Sequence, residues 1–468
     1  MTTTTTDPYL TVRELGALLR RRETTPLELT RLYLERLDTL GRRLNALVTL
    51  TEERALREAA QAERELNAGL DRGPLHGIPW GAKDLLAADG YPTTWGAAPF
   101  RSQQFAGDAW AVARLRDAGA VLVGKLAMIE LAGGLGYELP EASITGSARV
   151  PWNTDAWAGG SSSGSGSAVA AGLVGFALGS ETMGSIVHPA ASCGISGLRP
   201  TYGRVSRRGA MALSWTMDKI GPMCRSADDC GLVLEAIARH DKYDHTSTRV
   251  PFAYWPDSAR RSGFRFAVPA DATDLVQDDV RLNFAAALDV LHEFGTVETV
   301  TLPELPYMET AVTIIRGEIA SVFEEFITSG AVRELDDPAD RLNALELLAM
   351  PAHVYLRAAR VRTAITAALG ELAGRYDALV SPTLPEVAHP AGEPIGAYFT
   401  LSGAYRLLAG VNVAGLPGLS VPNGFGERGL PTALSFVGAP YAESTLIAAA
   451  NAFQQRTDWH IRRPNLDP

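Results

Sequence analysis

Cysteine is scarce in this chain, with 3 among 468 residues. Cys193, Cys224 and Cys230 form no even set and lack metal-ligand spacing. This pattern excludes a disulfide framework and a cysteine-based metal site, and it predicts buried free thiols in a reducing compartment.

Positive charge is also in deficit, with 43 Lys and Arg against 53 Asp and Glu and a net charge of −10. Proteins that bind nucleic-acid phosphates carry clustered Lys and Arg side chains on their surface, so we expect no nucleic-acid partner. The chain lacks an apolar run of about 18 residues, and its N-terminus lacks the apolar region of a signal peptide. We therefore expect no membrane partner and a cytoplasmic location.

Hydrophobic residues make up 46% of the sequence, enough to bury a large core. Apolar strand-like runs such as 264–268 and 378–380 alternate with helical stretches such as 280–294, which predicts an α/β fold. No linker-like break divides the chain, so we expect one large domain over 8–468. The threonine-rich tract 1–7 is expected to be disordered.

The most informative feature of the sequence is a pair of stretches rich in serine and glycine. They read Ala158-Gly-Gly-Ser-Ser-Ser-Gly-Ser-Gly-Ser167 and Gly179-Ser-Glu-Thr-Met-Gly-Ser-Ile-Val-His-Pro189. The second follows a short apolar stretch, 174–178, which we interpret as a buried strand that delivers a loop to the surface. Clustered backbone N–H groups beside a hydroxyl can stabilise an oxyanion, so this loop is a candidate site for acyl transfer.

A serine nucleophile needs a base, and the nearest histidine is poorly placed. His188 lies only three residues after Ser185 in the same segment, where a packing or pocket-wall role is expected. Upstream, 78–82 is interpreted as a mostly apolar strand that ends in Lys83. Burial would lower the pKa of Lys83 and allow it to accept a proton.

Together these segments resemble the amidase signature family, whose members hydrolyse or transfer amides with a Ser, cis-Ser, Lys triad. The resemblance covers most of the chain and is weakest over 241–370. It is carried by Gly77-Ile-Pro-Trp-Gly-Ala-Lys-Asp84, Arg114-Leu-Arg-Asp-Ala-Gly-Ala-Val-Leu-Val-Gly-Lys125, the two serine stretches, Cys193-Gly-Ile-Ser-Gly-Leu-Arg-Pro-Thr-Tyr-Gly-Arg-Val205, Tyr376-Asp-Ala-Leu-Val-Ser-Pro-Thr383 and Asn412-Val-Ala-Gly-Leu-Pro-Gly-Leu-Ser-Val-Pro422.

The resemblance implies a large mixed, twisted sheet covered by helices on both faces. It also implies that Ser185 is the nucleophile, Ser161 the bridging serine after a cis peptide bond, and Lys83 the base. Neutral Lys83 would take the proton of Ser161, which would relay it from Ser185 and leave an acyl-enzyme for water to cleave.

The oxyanion would bind the backbone N–H groups of Thr182, Met183 and Gly184, together with that of the nucleophile. Here the chain departs from the commoner family pattern, Asp-Thr-Gly-Gly-Ser-Ile-Arg. Glu181 replaces the aspartate, Met183 replaces a glycine and Val187 replaces the arginine. These changes leave the triad intact and make the loop more apolar.

The segment 241–410 is expected to vary with substrate and to hold the specificity. Candidate pocket residues are Met128, Val187, Tyr398 and Tyr405. Apolar and aromatic walls favour uncharged acyl or aryl groups over charged amino acids.

Three functions remain open. The first is an amidase, with a Ser185 acyl-enzyme, that cleaves non-peptide C–N bonds of small neutral or aryl amides, and also esters or carbamates (urethanes). The second is a glutaminase subunit of a tRNA-dependent amidotransferase, which the loss of arginine at Val187 disfavours. The third is an α/β-hydrolase esterase that uses Ser162, since Gly160-Ser-Ser-Ser-Gly164 fits G-x-S-x-G. No cofactor or metal is expected, and the protein is expected to be a monomer or homodimer with a small-molecule substrate.

Overall fold

The computed structural model describes residues 6–255, 262–395 and 402–466. These residues form thirteen strands, which are interspersed with helices along the chain. The strands are β1 (Leu47–Leu50), β2 (Pro79–Lys83), β3 (Val121–Leu126), β4 (Arg149–Val150), β5 (Asn153–Trp157), β6 (Phe176–Glu181), β7 (Ser196–Arg199), β8 (Lys219–Cys224), β9 (Phe264–Pro269), β10 (Gly295–Val300), β11 (Ala378–Pro382), β12 (Gly418–Phe425) and β13 (Pro431–Val437).

Fourteen α-helices lie in the same described ranges. They are α1 (Val12–Arg21), α2 (Pro26–Arg36), α3 (Glu52–Asn67), α4 (Trp110–Asp117), α5 (Ser163–Ala170), α6 (Val187–Cys193), α7 (Ala227–Ile237), α8 (Asp278–His292), α9 (Tyr307–Val322), α10 (Glu324–Thr328), α11 (Pro338–Leu348), α12 (Ala352–Gly374), α13 (Gly403–Val413) and α14 (Glu443–Gln454).

Eleven of the strands form one sheet in the order β1-β3-β2-β6-β8-β7-β12-β13-β11-β9-β10, and β4 pairs with β5 separately. The sheet is mixed: β2 runs parallel to β3 and β6, whereas β8 runs antiparallel to β6 and β7. Because β2 and β6 are parallel neighbours, their carboxyl ends meet at the same edge. Lys83 ends β2 and Glu181 ends β6, so this edge brings the lysine segment to the second serine stretch.

Side chains alternate between the two faces of the sheet, as the pleat of a strand requires. Leu122 and Phe176 pack in a core that includes residues of α1, α4, α7 and α14. Val121, Val123 and Ala177 pack in a second core, with residues of α3, α5 and α6. Helices therefore cover both faces, and the predicted single-domain α/β fold is confirmed.

Local sequence signals account for many element boundaries. Thr25 and Glu28 form a reciprocal capping box at the start of α2, with Pro26 in the first turn. The strand predicted at 78–82 is present as β2, and the buried free thiols predicted for the cysteines are also found.

The second serine stretch differs from its prediction. We expected a strand over 174–178 followed by a loop, but β6 continues through Ser180 and Glu181. These two residues pair with Ile220 and Lys219 of the antiparallel strand β8, and this pairing extends the strand.

Other predictions concern the ends of the chain and its membrane contacts. Of the tract 1–7, residues 1–5 lie outside the described residues, whereas Asp7 pairs with Arg463 at 2.6 Å. No helix in the described ranges is long and apolar enough to cross a membrane.

Candidate active site

Lys83 is fully buried at the carboxyl end of β2. Its Nζ atom donates to Ser161 Oγ at 2.7 Å and to Ser180 Oγ at 3.0 Å. Burial lowers the pKa of Lys83 to about 7, against the opposing charges of Asp218 and Glu181. A substantial fraction of this amine is therefore neutral at neutral pH and able to accept a proton.

Ser161 follows a cis peptide bond to Gly160, as the resemblance implied. The loop requires glycine at 160 because a Cβ atom there would lie 2.5 Å from the Tyr137 hydroxyl and 2.8 Å from the Trp157 ring. Next along the chain, the Ser162 amide donates to the Ser185 carbonyl at 3.3 Å. This bond joins the Ser161 loop to the segment that carries the candidate nucleophile.

Ser185 lies in a short loop between β6 and α6, where Gly184 has a φ of +89° that favours glycine. Among the described residues, the amide N–H groups of Met183, Gly184 and Ser185 have no intramolecular acceptor. Unpaired amides beside a partly exposed serine hydroxyl are the arrangement needed to bind an oxyanion.

A buried polar network holds this loop. The Glu181 carboxylate accepts from the amides of Ile186 and Val187 at 2.9 and 3.0 Å. It also accepts from Arg199 at 2.7 Å and from the Asn412 side chain at 3.0 Å. The glutamate that replaces the family's commoner aspartate thus ties the start of the loop to its end.

Thr182 is held by a second carboxylate. Its hydroxyl donates to Asp218 Oδ1 at 2.6 Å, and Asp218 Oδ2 accepts from the amides of Leu213 and Ser214. Burial raises the pKa of Asp218. The loop is therefore bonded on both sides to groups that are distant in sequence.

Ser185 opens onto a cavity of about 320 Å³, here called the Ser185 cavity. Most of its wall is apolar or uncharged, and Arg316 is the one charged group among its described lining residues. The lining comprises residues 132–137, Thr182, Met183, Ser185, Leu213, Met308, Val312, Ile315, Arg316 and Asn343.

A second cavity of about 400 Å³, the Asp218 cavity, is also lined by Thr182. Its lining includes Ser180, which bonds to Lys83, as well as Asp218 and Lys219. Ala132, Thr182 and Leu213 line both cavities, so the two spaces meet beside the candidate triad.

Three of the four predicted pocket residues do not line the two cavities, and the fourth lies outside the described residues. Tyr398 lies outside the described residues, and Met128, Val187 and Tyr405 are not among the residues that line either cavity. Met128 is buried in the main core, and Val187 is buried at the start of α6. Tyr405 is buried in the hydrophobic cluster against which Tyr137 packs.

His188 and Ser162, the remaining candidate residues from the sequence, are buried and do not reach the Ser185 cavity. His188 is buried, with its ring edge-on to Trp157 at 5.3 Å between centroids, and burial lowers its pKa to about 3. Ser162 is also buried, and its hydroxyl bonds to the backbone of Ser180 at 3.2 Å. Neither residue lines the Ser185 cavity.

Sequence reasoning missed several residues of the site. Tyr137, Arg316 and Asn343 line the cavity from segments that carry no motif. Lys219 begins β8 and Asp218 directly precedes it, and the pairing of Lys219 with Glu181 brings both close to Thr182. Residues 6–255, 262–395 and 402–466 contain no group of three or more His, Cys, Asp or Glu side chains that could hold a metal ion.

Comparison with known proteins places this geometry in a family. Residues 28–447 match the family described as Amidase. The chain is 36% identical to a glutamyl-tRNA(Gln) amidotransferase subunit of Moorella thermoacetica, over 98% of this chain and 99% of that protein.

Two solved structures extend the likeness to the fold. The peptide amidase from Stenotrophomonas maltophilia superposes with a TM-score of 0.86 at 32% identity, over 98% of this chain and 99% of that one. The corresponding glutamyl-tRNA(Gln) amidotransferase subunit from Thermotoga maritima gives 0.78 at 29% identity, over 96% of each chain. The family match excludes the α/β-hydrolase hypothesis for Ser162, and the chain belongs to the amidase signature family.

Proposed function

We propose that this protein hydrolyses a carboxamide C–N bond through an acyl-enzyme on Ser185. The observation that carries the proposal is the 2.7 Å contact between Lys83 Nζ and Ser161 Oγ in a fully buried setting. Neutral Lys83 accepts the proton of Ser161, which takes the proton of Ser185 as the latter attacks the carbonyl carbon. Returning the proton to the leaving nitrogen expels ammonia or an amine, and water then cleaves the ester.

The oxyanion of the tetrahedral intermediate binds in the loop before α6. The amides of Thr182, Met183, Gly184 and Ser185 donate to no acceptor among the described residues and are free to donate to it. Such donors stabilise charge that develops in the transition state, and losing one costs about 3 kcal/mol of barrier lowering.

The acyl group occupies the Ser185 cavity, because the nucleophile lines it. The volume of about 320 Å³ suits a small acyl or aryl group, and Met183, Leu213 and Met308 give it an apolar wall. We therefore favour neutral alkyl or aryl amides as substrates, with esters and carbamates of similar shape as further candidates. The Asp218 cavity, which adjoins the Ser185 cavity at Thr182, is available to the leaving group.

Glutamine is the second candidate substrate, with the ammonia passed to a partner that acts on charged tRNA. It is supported by full-length similarity to subunits of glutamyl-tRNA(Gln) amidotransferases, and by Arg316, which offers a cation to the glutamine carboxylate. The described lining offers no carboxylate for the glutamine ammonium group. The charged lining of the Ser185 cavity therefore complements the carboxylate of glutamine but not its ammonium group.

Turnover of a defined panel separates the two candidates. We expect kcat/KM for benzamide, acetanilide or ethyl carbamate to exceed that for L-glutamine, with all activity lost in Ser185→Ala. Higher kcat/KM for glutamine, together with co-purification of two other subunits from the source cell, would instead establish the amidotransferase function. A monomer or homodimer and a cytoplasmic location stay predictions.

A further inference from the structure

A second buried lysine, which the proton relay does not use, lies beside the candidate oxyanion loop. Lys219 begins β8, directly opposite Glu181 of β6, and is 1% exposed. Its Nζ atom donates to the Thr182 carbonyl at 3.3 Å and to Asn412 Oδ1 at 2.9 Å. Lys83 contacts serine hydroxyls, whereas the described bonds of Lys219 go to a backbone carbonyl and a side-chain amide.

The bond to the Thr182 carbonyl has a consequence for Met183. The Thr182 carbonyl and the Met183 N–H belong to one planar peptide group, which is trans, so they point in opposite directions. A donor that holds the oxygen therefore also sets the direction of the N–H. In the described structure this N–H has no acceptor, and Met183 lines the Ser185 cavity.

Lys219 also belongs to the network that holds the other end of the loop. Asn412 accepts from Lys219 through Oδ1 and donates to Glu181 through Nδ2. Glu181 in turn accepts from the Ile186 and Val187 amides. One buried chain of hydrogen bonds thus fixes the peptide before Met183 and the two amides after Ser185.

We propose that Lys219 is a positioning residue that aims the Met183 N–H at the oxyanion by holding the Thr182 carbonyl. This inference rests on the proposed acyl-enzyme function and adds a residue to it. An amine donates hydrogen bonds whether neutral or protonated, so the role does not depend on the charge of Lys219. The residue acts on the oxyanion through the loop, by way of the Thr182 carbonyl.

The test uses the full-length protein and a methoxy fluorophosphonate, which reacts with an activated serine and develops negative charge on a phosphonyl oxygen. In Lys219→Met we expect the second-order rate of Ser185 labelling to fall on the order of ten- to a hundred-fold. For the best amide of the substrate panel we expect kcat to fall similarly while KM stays near the native value. This split is expected because an oxyanion contact acts mainly in the transition state.

Leu15→Ala is the matched control, since it removes buried side-chain volume in α1 without touching the loop. It should lower the melting temperature and leave the labelling rate native. If Lys219→Met does not fold, Lys219→Gln replaces it, because its shorter side chain cannot reach the carbonyl. A native labelling rate and kcat in whichever of these Lys219 variants folds would overturn the proposal. Labelling or turnover that survives in Ser185→Ala would instead overturn the acyl-enzyme function.

Discussion

The Nζ atom of Lys83 lies 2.7 Å from the Oγ atom of Ser161, and neither side chain is exposed to solvent. Burial makes the amine a base near neutral pH, and the serine hydroxyl gives it a proton to accept. The chemistry of the site therefore depends on where two distant segments of the chain meet.

The pH profile tests the lysine. Because the active form of Lys83 is neutral, and burial lowers its pKa to about 7, kcat/KM should rise tenfold per pH unit below about pH 7 and level off above it. Initial rates on one amide from pH 5 to 9 measure the profile. Residual activity in Lys83→Met should lack this ionisation, and an acidic optimum in the native protein would contradict a lysine base.

Substitution of the triad should show that its members act as one unit. We expect Ser185→Ala and Lys83→Ala each to remove nearly all turnover, Ser161→Ala somewhat less, and double variants to lose no more than the worse single change. Ser162→Ala is the matched control, because this hydroxyl bonds to the Ser180 backbone. Mass-spectrometric mapping should place a serine-directed label on Ser185 in the native protein and in this control.

Protonation of Glu181 should make the free energy of unfolding fall at acidic pH. Burial acts to raise the pKa of Glu181, but the charges of Arg199 and Lys219 outweigh it and hold the value at about 2, below the ordinary 4.5. Because the folded pKa lies below the unfolded one, the stabilisation is complete above about pH 4.5 and is lost as the pH falls toward 2. It amounts to about 3 kcal/mol.

Urea unfolding at pH 7 and pH 3 measures this contribution. Glu181→Gln should lower the free energy of unfolding at pH 7 and flatten its dependence between these pH values. Glu53→Gln, on an exposed position of α3, is the control and should change neither quantity. An unchanged pH dependence in Glu181→Gln would show that other carboxylates govern acid unfolding.

Arg316 should discriminate among acyl groups. A charge-assisted hydrogen bond to a substrate carboxylate is worth roughly 1.5–3 kcal/mol, so Arg316→Ala should raise KM for glutamine or a dicarboxylic monoamide about tenfold or more. KM for a neutral amide should stay unchanged. Arg333→Ala is the control, since Arg333 is exposed nearby in sequence but does not line the cavity. Equal effects on anionic and neutral amides would exclude a carboxylate contact.

Met183 should set part of the preference for neutral groups. Its side chain lines the Ser185 cavity, and a well-buried apolar contact is worth roughly 1–3 kcal/mol. Met183→Gly should therefore lower kcat/KM for benzamide more than for glutamine. The ratio of the two values, measured in native and variant protein, reports the effect, and an unchanged ratio would assign the preference to other residues.

Local pattern alone determined a large part of this protein. The apolar run before Lys83 predicted strand β2 from contiguous residues, and the second serine-glycine stretch predicted a loop at Ser185, although β6 extends to Glu181 before that loop begins. The alternation of apolar strands and helices likewise predicted the α/β fold. These features are readable because hydrophobic periodicity and backbone preference act over a few neighbouring positions.

Tertiary structure decided which side chains face the cavity and which support it from behind. Lys219 reaches Thr182 because β8 pairs antiparallel with β6, and strand partners are not encoded in either strand alone. Met128, Val187 and Tyr405 are apolar or aromatic like true lining residues, yet they are packed away from the described cavities, while Arg316 and Asn343 lie at the Ser185 cavity. Residue type alone does not distinguish a lining residue from a buried one, because the direction of a side chain depends on the register of its element against the sheet.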